Sequence, residues 1–386
     1  MRNYCSNNAL KVPKSELREF FEIAKSVEDI ISLSVGEPDF ETPWRIKEEC
    51  INSINSNKTY YTESLGILPL REAICQYTYD SLGINYNPHD QVLVTVGASE
   101  AVDLIIRTTI NQGDEVILLA PSYVMYEPCV ILQGGVPVFV ELKQENEFKL
   151  LKEDLVKSIT DKTKIIIMNY PSNPTGGIMT NDDYKEIVDI IKENNILVIS
   201  DEIYAELQYE GKHCSLAQFA EIKDQVLIVN GFSKAYAMTG YRLGYILGNK
   251  ELIDLMCLIH QYTIMNPTTS SQYAGVVAIK ECQNDIVNMR NEFMLRRNYL
   301  VNNLNRIGLH CHMPKGAFYV FASIKNTGMT SYDFCLNLVK KEKVAIVPGT
   351  AFGQSGEGYV RISYAYSLKE LKFGVEAIER FMSSLK

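Results

Sequence analysis

The sequence predicts an α/β fold in which a mostly parallel central sheet is covered by helices and a smaller α+β domain is attached. Short runs of β-branched and aliphatic residues alternate with helix-like segments between residues 91 and 247, a pattern typical of a covered parallel sheet. The pattern becomes helical from about residue 252 to residue 306, and weaker strand signals follow. We therefore expect a large domain at residues 46–285 and a small domain made of residues 1–45 and 286–386.

The predicted elements follow from these runs, taken in chain order. The central sheet is predicted to contain Gln91–Val96, Val116–Leu119, Val136–Leu142, Ile165–Asn169, Leu197–Asp201, Val226–Asn230 and Tyr245–Leu247. Helix-like segments lie between most of these strands: Glu100–Thr109, Tyr123–Gln133, Lys152–Ile159 and Asp182–Asn194. The small domain is predicted to contain strands and helices at Ala317–Ser323, Ser331–Glu342, Val344–Val347, Tyr359–Ser363 and Leu368–Leu385.

The composition is that of a globular chain with a sizeable core. Of the 386 residues, 46% are hydrophobic and 22% are charged. The chain carries 38 basic and 47 acidic residues, a net charge of −9, and no run of Lys and Arg offsets this balance. This argues against a nucleic-acid-binding surface, so that a small anionic ligand would have to be bound by local cations.

The sequence predicts a cytoplasmic protein without a metal site. Residues 1–13 are polar and contain no apolar segment of the kind found in signal peptides, and the longest apolar runs, such as residues 165–168, are too short to span a bilayer. The nine cysteines are scattered and form no Cys-x-x-Cys pair, which favours thiols in a reducing compartment. The sequence His-Cys-His at residues 310–312 lies in a strand-like stretch, where neighbours point to opposite faces.

The stretch Gly231–Gly244 places Lys234 directly after Ser233, with Arg242 eight residues further on. A lysine at the end of a buried strand can lose its proton by desolvation and attack a carbonyl as the neutral amine. A serine and an arginine beside it can bind a phosphate. For Lys234 alone a basic loop after a strand would be the better interpretation, so that the active-site interpretation depends on the other motifs.

Three successive predicted strands end in polar residues that bear chemistry. The first leads to Asn173 on a Pro- and Gly-rich loop, the second ends at Asp201, and the third leads to Lys234. Parallel strands deliver their carboxyl ends to one edge of a sheet, where α/β proteins bind ligands. Taken singly, Asn173 is most often a turn former and Asp201 a helix cap. Together with Lys234 they favour a site at this edge.

The residues Gly97, Ala98 and Ser99 form a glycine turn between a predicted strand and a predicted helix. The first N–H groups of a helix are unpaired and lie at its positive end, so that a phosphate can bind there. A plain serine cap is the alternative. Ser233 and Arg242 would complete the phosphate site from the other side.

With these motifs in order, the chain resembles the class I/II aminotransferases of the pyridoxal phosphate (PLP) fold-type I superfamily. The resemblance runs from about residue 30 to the C-terminus. Besides the stretch around Lys234, it is carried by Gly36-Glu-Pro-Asp39, Tyr60-Tyr61…Gly66, Gly97-Ala-Ser99, Pro171-Ser-Asn-Pro-Thr-Gly176, Asp201-Glu-Ile-Tyr204 and Tyr359-Val-Arg361-Ile-Ser363.

The resemblance implies a PLP-dependent transaminase with assigned residues. Lys234 would form the Schiff base with the cofactor and carry a proton between substrate and cofactor. Asp201 would pair with the pyridine nitrogen, and a carboxylate about 4 Å away favours the cation by about 4 kcal/mol, or about three pKa units. Asn173 and Tyr204 would hydrogen-bond the phenolic oxygen. Tyr123 would stack on the ring.

The resemblance also implies the two anion sites. The phosphate would be bound by Gly97, Ala98, Ser99, Ser233 and Arg242. Tyr61 would reach the phosphate of the neighbouring subunit, which implies a homodimer with a shared active site. Arg361, with Gly36 and Asn173 close by, would bind the substrate α-carboxylate. A planar arginine suits that bidentate contact, although a surface arginine on an edge strand is the alternative.

The function we expect is transfer of the amino group of an L-amino acid to a 2-oxo acid by a ping-pong mechanism. No second arginine for a substrate side-chain carboxylate is evident, and the aromatic and methionine residues at 262–265 suggest an apolar pocket or core packing. A carbon–sulfur β-lyase or a cyclase or synthase on the same scaffold is the alternative chemistry. A PLP-binding regulator with a DNA-binding domain is opposed by the negative charge and the short stretch before Gly36.

Overall fold

Two sheets and a short strand pair organise the chain in the computed structural model, which describes residues 4–385. In chain order the strands are β1 Ile31–Ser32, β2 Val92–Thr95, β3 Glu115–Ala120, β4 Val136–Glu141, β5 Thr163–Asn169, β6 Leu197–Asp201, β7 Val226–Gly231, β8 Gly244–Leu247, β9 Tyr319–Ser323, β10 Val344–Ala345, β11 Val347–Pro348 and β12 Tyr359–Ser363. No helix within the described part of the chain has both the length and the hydropathy that a membrane span requires.

The helices lie mostly between these strands. They are α1 Asn7–Lys11, α2 Glu16–Lys25, α3 Trp44–Asn55, α4 Leu68–Leu82, α5 Gly97–Thr109, α6 Tyr126–Leu132, α7 Lys152–Ser158, α8 Asn181–Glu193, α9 Lys250–Thr263, α10 Thr269–Glu281, α11 Gln283–Arg306, α12 Ser331–Glu342 and α13 Leu368–Ser383. The sequence pattern did not predict α2, α3 and α4, which precede the first strand of the large sheet.

The large sheet has seven strands in the order β2-β8-β7-β6-β5-β3-β4. All neighbouring pairs are parallel except the two that involve β8, which runs antiparallel to β2 and to β7. The predicted α/β fold with a mostly parallel, covered sheet is therefore confirmed. The single reversed strand is joined to β7 by residues 232–243, which contain no α-helix of the kind that usually makes a parallel crossover.

Alternation along the central strands explains why both faces of this sheet are covered. In β5, Ile166 and Met168 belong to one hydrophobic cluster, whereas Ile165 and Ile167 belong to another on the opposite face. Successive strand residues point to opposite faces, so that a run of aliphatic residues requires a hydrophobic layer on each side. The helix α8 covers the first face, and it begins with a reciprocal cap between Thr180 and Asp183.

A third hydrophobic cluster lies around the antiparallel sheet β11-β12-β9 and the helices α11, α12 and α13. Phe20, Ala24 and Leu33 from the N-terminal part of the chain belong to this cluster, and β1 pairs with β10. These contacts support the expected grouping of residues 1–45 with residues 286–386. The boundary at residues 285 and 286 lies in the first turn of α11 and remains a proposal.

Candidate active site

A cavity of about 290 Å³ lies at the carboxyl ends of β5, β6 and β7. We call this edge, with Asn173, Asp201 and Lys234, the sheet rim. The remaining side, which we call the composite wall, consists of Leu17 and Phe21 from α2, Val35 and Gly36 with the preceding Ser34 behind them, and Arg361. The cavity brings together eleven of the thirteen predicted site residues: Gly36, Ala98, Ser99, Tyr123, Asn173, Asp201, Tyr204, Ser233, Lys234, Arg242 and Arg361.

Lys234 supplies the amine of the site. Its Nζ donates a hydrogen bond of 2.6 Å to the carbonyl oxygen of Gly36. Burial lowers the pKa of Lys234 to about 8, with the nearby guanidinium of Arg361 acting in the same direction and the carboxylate of Glu37 opposing it. A minority of this amine is therefore neutral near physiological pH, far more than for an ordinary lysine, and the neutral amine is the form that attacks carbonyls.

Asp201 supplies a buried carboxylate at the end of β6. Its Oδ2 accepts a 2.6 Å hydrogen bond from the hydroxyl of Tyr126, and its Oδ1 accepts one of 3.2 Å from the backbone N–H of Ile203. Burial raises the pKa of Asp201 to about 6, although these hydrogen bonds act to lower it. Because both donors are neutral, the arrival of a cation at this carboxylate is favoured.

Asn173 is held between the sheet rim and the composite wall. Its backbone N–H donates to Oδ1 of Asn169 at 3.0 Å, and its own Oδ1 accepts from Nη1 of Arg361 at 2.9 Å. Asn169 in turn donates from Nδ2 to the backbone oxygen of Asp201 at 3.0 Å. The ends of β5 and β6 are thus joined by one asparagine, which orients Asn173.

Two tyrosines meet inside the cavity. The hydroxyls of Tyr204 and Tyr319 are 2.9 Å apart, and burial raises the pKa of Tyr204 well above its usual value and that of Tyr319 to about 12. Both phenols are therefore neutral hydrogen-bonding groups at physiological pH. Gly36 lies against Tyr319, and a Cβ at Gly36 would be 3.2 Å from the phenol carbon that bears its hydroxyl. Tyr123 also lines the cavity, and its ring meets that of Tyr126 edge to face.

Arg361 lies in the middle strand of the small sheet and is only 3% exposed, so that the alternative of a surface arginine is wrong. Its Nη2 donates to the backbone oxygen of Ser34 at 2.6 Å, and its guanidinium lies 4.4 Å from the ring centre of Tyr319. Its buried Nε has no hydrogen-bond partner among the described residues. A buried donor left unsatisfied costs free energy, so that an anion beside Arg361 would be favoured.

The start of α5 forms the second candidate anion site. The helix begins at Gly97 after Val96, whose side chain cannot cap it, and Ser99 lies inside the first turn. The alternative of a plain serine cap is therefore wrong. Gly97 has φ +77°, and a Cβ at this position would lie 2.7 Å from Nη2 of Arg242. The glycine thus lets the guanidinium approach the unpaired N–H groups of the helix start.

Lys234 and Arg242 share the loop of residues 232–243. This loop is closed at its base, because Gly231 of β7 pairs with Gly244 of β8. A Cβ at Gly244 would lie 2.6 Å from the backbone nitrogen of Ala98. The amine and the guanidinium are therefore presented by one short closed loop that lies against the start of α5.

Two predicted residues do not line the cavity, and several residues that the prediction missed do. Gly97 contributes through backbone geometry, and the side chain of Tyr61 is 78% exposed and lies outside the cavity of its own chain. Among the missed residues are Leu17, Phe21, Tyr126, Asn169 and Tyr319. Of these, Asn169 had a usable signal, since it ends a predicted strand of the sheet as Asp201 does.

Comparisons with known proteins cover nearly the whole chain. A family model described as aminotransferase class I and II matches residues 28–378. An aromatic-amino-acid aminotransferase 2 from Thermococcus litoralis is 40% identical, with 97% of each chain covered, and an aspartate aminotransferase from Pyrococcus abyssi has the same identity and coverage. The crystal structure of an aromatic aminotransferase from Pyrococcus horikoshii superposes with a TM-score of 0.91 at 40% identity, covering 95% of this chain and 99% of that one.

Proposed function

The chain belongs to the class I and II aminotransferase family and is a PLP-dependent enzyme that transfers amino groups, and from this premise we propose which of its residues do so. The substrates are amino acids and 2-oxo acids. The alternative β-lyase or cyclase chemistry is not favoured by these relatives. What supports the assignment of residues is a single observation: one cavity holds a partly neutral amine, a buried carboxylate with neutral donors and two anion sites.

The residues of this cavity fit the cofactor. The unpaired N–H groups of Ala98 and Ser99, with Ser233 and Arg242, would hold the phosphate, because Gly97 and Gly244 leave no side chain between them. The carboxylate of Asp201 would hold a protonated ring nitrogen. Asn173 and Tyr204 would donate hydrogen bonds to the phenolic oxygen, and Tyr123 would cover the ring.

PLP, when bound, supplies an aldehyde that takes up the amino group and a ring that accepts an electron pair from the substrate α-carbon. Lys234 would hold the cofactor and, once released by the substrate amine, would take the α-proton on Nζ and return it. The backbone oxygen of Gly36, 2.6 Å from Nζ, orients the amine. Asp201 keeps its negative charge next to the ring nitrogen, since a neighbouring cation lowers the pKa of a carboxyl.

Arg361 is proposed to bind the α-carboxylate of the substrate. Its two terminal nitrogens are already fixed by Asn173 and Ser34, so that the guanidinium has one orientation, and the unpartnered Nε remains available. A group fixed in advance loses little entropy when the substrate binds. The α-carbon is thereby placed at the sheet rim, within reach of Lys234.

We further propose a substrate with an apolar side chain. Every cation that lines the cavity has a role in this assignment: Lys234 as the amine, Arg242 at the phosphate and Arg361 at the α-carboxylate. The part of the composite wall that remains is formed by Leu17, Phe21 and Val35. An apolar wall gains free energy from apolar side chains and offers nothing to a second carboxylate.

Tyr61, exposed in its own chain, is proposed to serve the phosphate of a second subunit in a homodimer. A cytoplasmic location is proposed as well. It is supported by the cysteines from Cys50 to Cys335, which are free thiols although several are buried.

The test is the donor half-reaction of the purified holoenzyme, followed by the change in cofactor absorbance with one amino acid and no 2-oxo acid. We expect L-phenylalanine and L-leucine to react with a kcat/KM at least about ten-fold above that of L-aspartate, in line with the discrimination of hydrophobic pockets. Borohydride treatment should fix the cofactor to Lys234. A faster reaction of L-aspartate would contradict the substrate proposal alone, whereas label at another lysine would contradict the site.

A further inference from the structure

The loop of residues 60–67, which we call the tyrosine loop, is held by a buried arginine that follows it. Arg71 is 3% exposed and donates from Nε to the backbone oxygen of Gly66 at 2.9 Å and from Nη1 to that of Pro88 at 2.5 Å. Its Nη2 pairs with the carboxylate of Glu63. Burial of a guanidinium is costly unless its donors are used, and here they are used to define the loop.

A buried glutamine holds the same loop from α10. Oε1 of Gln272, which is fully buried, accepts from the backbone N–H of Ile67 at 2.8 Å, and its Nε2 donates to the hydroxyl of Thr62 at 3.0 Å. The hydroxyl of Thr269 donates to the backbone oxygen of Tyr60 at 2.8 Å. Both ends of the tyrosine loop are therefore fixed by polar groups outside it.

The tyrosine loop also lies against the strand that leads to the phosphate site. The backbone N–H of Val94 in β2 donates to the oxygen of Leu65 at 3.0 Å. Gly66 has φ +96°, and a Cβ there would be 2.6 Å from that of Val94. Only glycine fits such a position without displacing the strand. The loop thus has one conformation relative to β2.

The most exposed side chain of this loop is that of Tyr61. Its neighbour Tyr60 is 60% exposed and lies beside Tyr273, whose pKa is raised by burial and by a hydrogen bond with Tyr60. Tyr61 is 78% exposed and contributes nothing to the cavity of its own chain. Ordering a loop costs conformational entropy, and here two buried polar side chains, Arg71 and Gln272, offset that cost by their hydrogen bonds to the loop. An exposed, rigidly held phenol is suited to a contact outside the chain.

We propose that Arg71 and Gln272 are positioning residues that act in trans: they hold the tyrosine loop of one subunit so that Tyr61 reaches the phosphate bound in the other. The proposal rests on the homodimer and on the phosphate contact of Tyr61 put forward above. The new element is that substitution of Arg71 weakens phosphate binding in the site of the other subunit, although Arg71 does not line the cavity of its own chain.

The experiment uses hybrid dimers in which only one subunit keeps Lys234, with two affinity tags to isolate the mixed species. In the first hybrid, a Lys234→Ala subunit is paired with an Arg71→Met subunit. In the second, a Lys234→Ala/Arg71→Met subunit is paired with an unmodified one. Equilibrium titration with PLP, followed by borohydride reduction, measures the affinity of the single site that contains Lys234.

The first hybrid should bind PLP as tightly as a hybrid that carries Lys234→Ala alone, because Tyr61 comes from the subunit with an intact loop. The second should bind roughly ten- to a hundred-fold more weakly, the range of a lost hydrogen bond to a charged group. A hybrid with Lys234→Ala/Tyr61→Phe in one subunit should show a similar loss. The reverse pattern, with weak binding in the first hybrid and normal binding in the second, would overturn the proposal.

Two further variants separate this proposal from the one on which it rests. Gln272→Met, tested in the same pairings, covers the case in which Arg71→Met does not fold, and it should reproduce the same pattern. Arg297→Met removes an arginine of similar burial in α11 and should lower the melting temperature without a difference between the two hybrids. Normal binding in the Tyr61→Phe hybrid, or a monomer in sedimentation, would contradict the shared site itself and the proposal with it.

Discussion

The sheet rim and the composite wall form one cavity, but the chain builds them in different ways. Each residue of the sheet rim lies at the end of a strand of the large sheet or within four residues of it, so that the topology alone brings Asn173, Asp201 and Lys234 to one edge. The composite wall combines α2, residues 34–36 and Arg361, which meet only when the small sheet and the N-terminal part of the chain pack together. The comparison indicates that chemistry is encoded locally, whereas substrate choice depends on tertiary packing.

The largest expected effect tests whether the chemistry belongs to the sheet rim. Lys234→Ala should lower the rate of the donor half-reaction by at least about 10,000-fold, because it removes the nucleophile and the proton carrier at once. Lys250→Ala, at a lysine with a 57% exposed side chain, is the matched control and should leave the rate unchanged. If Lys234→Ala turned over within about ten-fold of the parent rate, Lys234 would not carry the chemistry, and the assignment of chemistry to the sheet rim would be wrong.

Asp201→Asn should lower the same rate by about 1,000-fold, the equivalent of about 4 kcal/mol, because the ring nitrogen loses its counter-charge. The apoprotein should respond in the opposite way. Folded Asp201 has a pKa of about 6 against an ordinary value of 3.8, so that between these values the folded chain binds a proton that the unfolded chain lacks. Its stability therefore falls as the pH rises through this window, by up to about 3 kcal/mol.

The same variant removes that pH dependence. Thermal unfolding of the apoproteins at pH 4, 5 and 7 should show that Asp201→Asn matches the parent at the lowest pH and melts later at pH 7. If the substitution made the apoprotein less stable at pH 7, burial of the unpaired Asp201 carboxylate would not destabilise the folded chain, and this prediction would be wrong.

Arg361→Lys tests the composite wall. A lysine keeps the charge but cannot hold Asn173, Ser34 and a carboxylate at once, so that we expect KM for amino acids to rise about 30-fold while kcat falls less. Arg296→Lys, at a buried arginine of α11 that contacts Asp39, is the matched control. A loss confined to kcat would contradict a role in substrate binding and would indicate that Arg361 acts in the chemical step.

Phe21→Ala should affect substrates according to their side chains. We expect kcat/KM for L-phenylalanine to fall about ten-fold, with little change for L-alanine, because the smaller side chain leaves an unfilled space in the wall. Arg18→Ala on the same helix, with an 82% exposed side chain, is the control. Equal losses for both amino acids would show that α2 supports the site as a whole and does not select substrates.

The smallest effect concerns a support of the sheet rim. Tyr126→Phe removes the hydrogen bond that lowers the pKa of Asp201, so that this pKa should rise further above 6. In the apoprotein, where no cation pairs with Asp201, the fall in stability with rising pH should then extend to higher pH, which thermal unfolding measures. Tyr77→Phe, which removes a buried tyrosine hydroxyl from Glu206, should leave this pH dependence unchanged.

The sequence predicted the sheet rim well because strand ends are recognisable one at a time. Asp201 ends β6 as predicted, and Lys234 is the third residue after β7. Asn169 was missed although it ends β5, because an asparagine there is equally typical of a turn.

The composite wall could not be predicted in the same way. Leu17 and Phe21 are four residues apart on α2, a spacing that indicates one apolar face but not what that face covers. Even the existence of α2 was not predicted. The sequence also could not predict that Tyr61 is exposed on a fixed loop. The loop is held by hydrogen bonds from Arg71 and Gln272, which are seen only in the folded chain.

The closed loop between β7 and β8 has a consequence for how the enzyme responds to heat. In the proposed arrangement both ends of the cofactor would attach to residues 232–243, and the base of that loop is a pair of strands in the interior of the sheet. A cofactor held in this way would therefore stabilise the strand pair. Thermal inactivation and loss of the central sheet should coincide in a single transition, and saturation with PLP should raise the midpoint temperature of that transition.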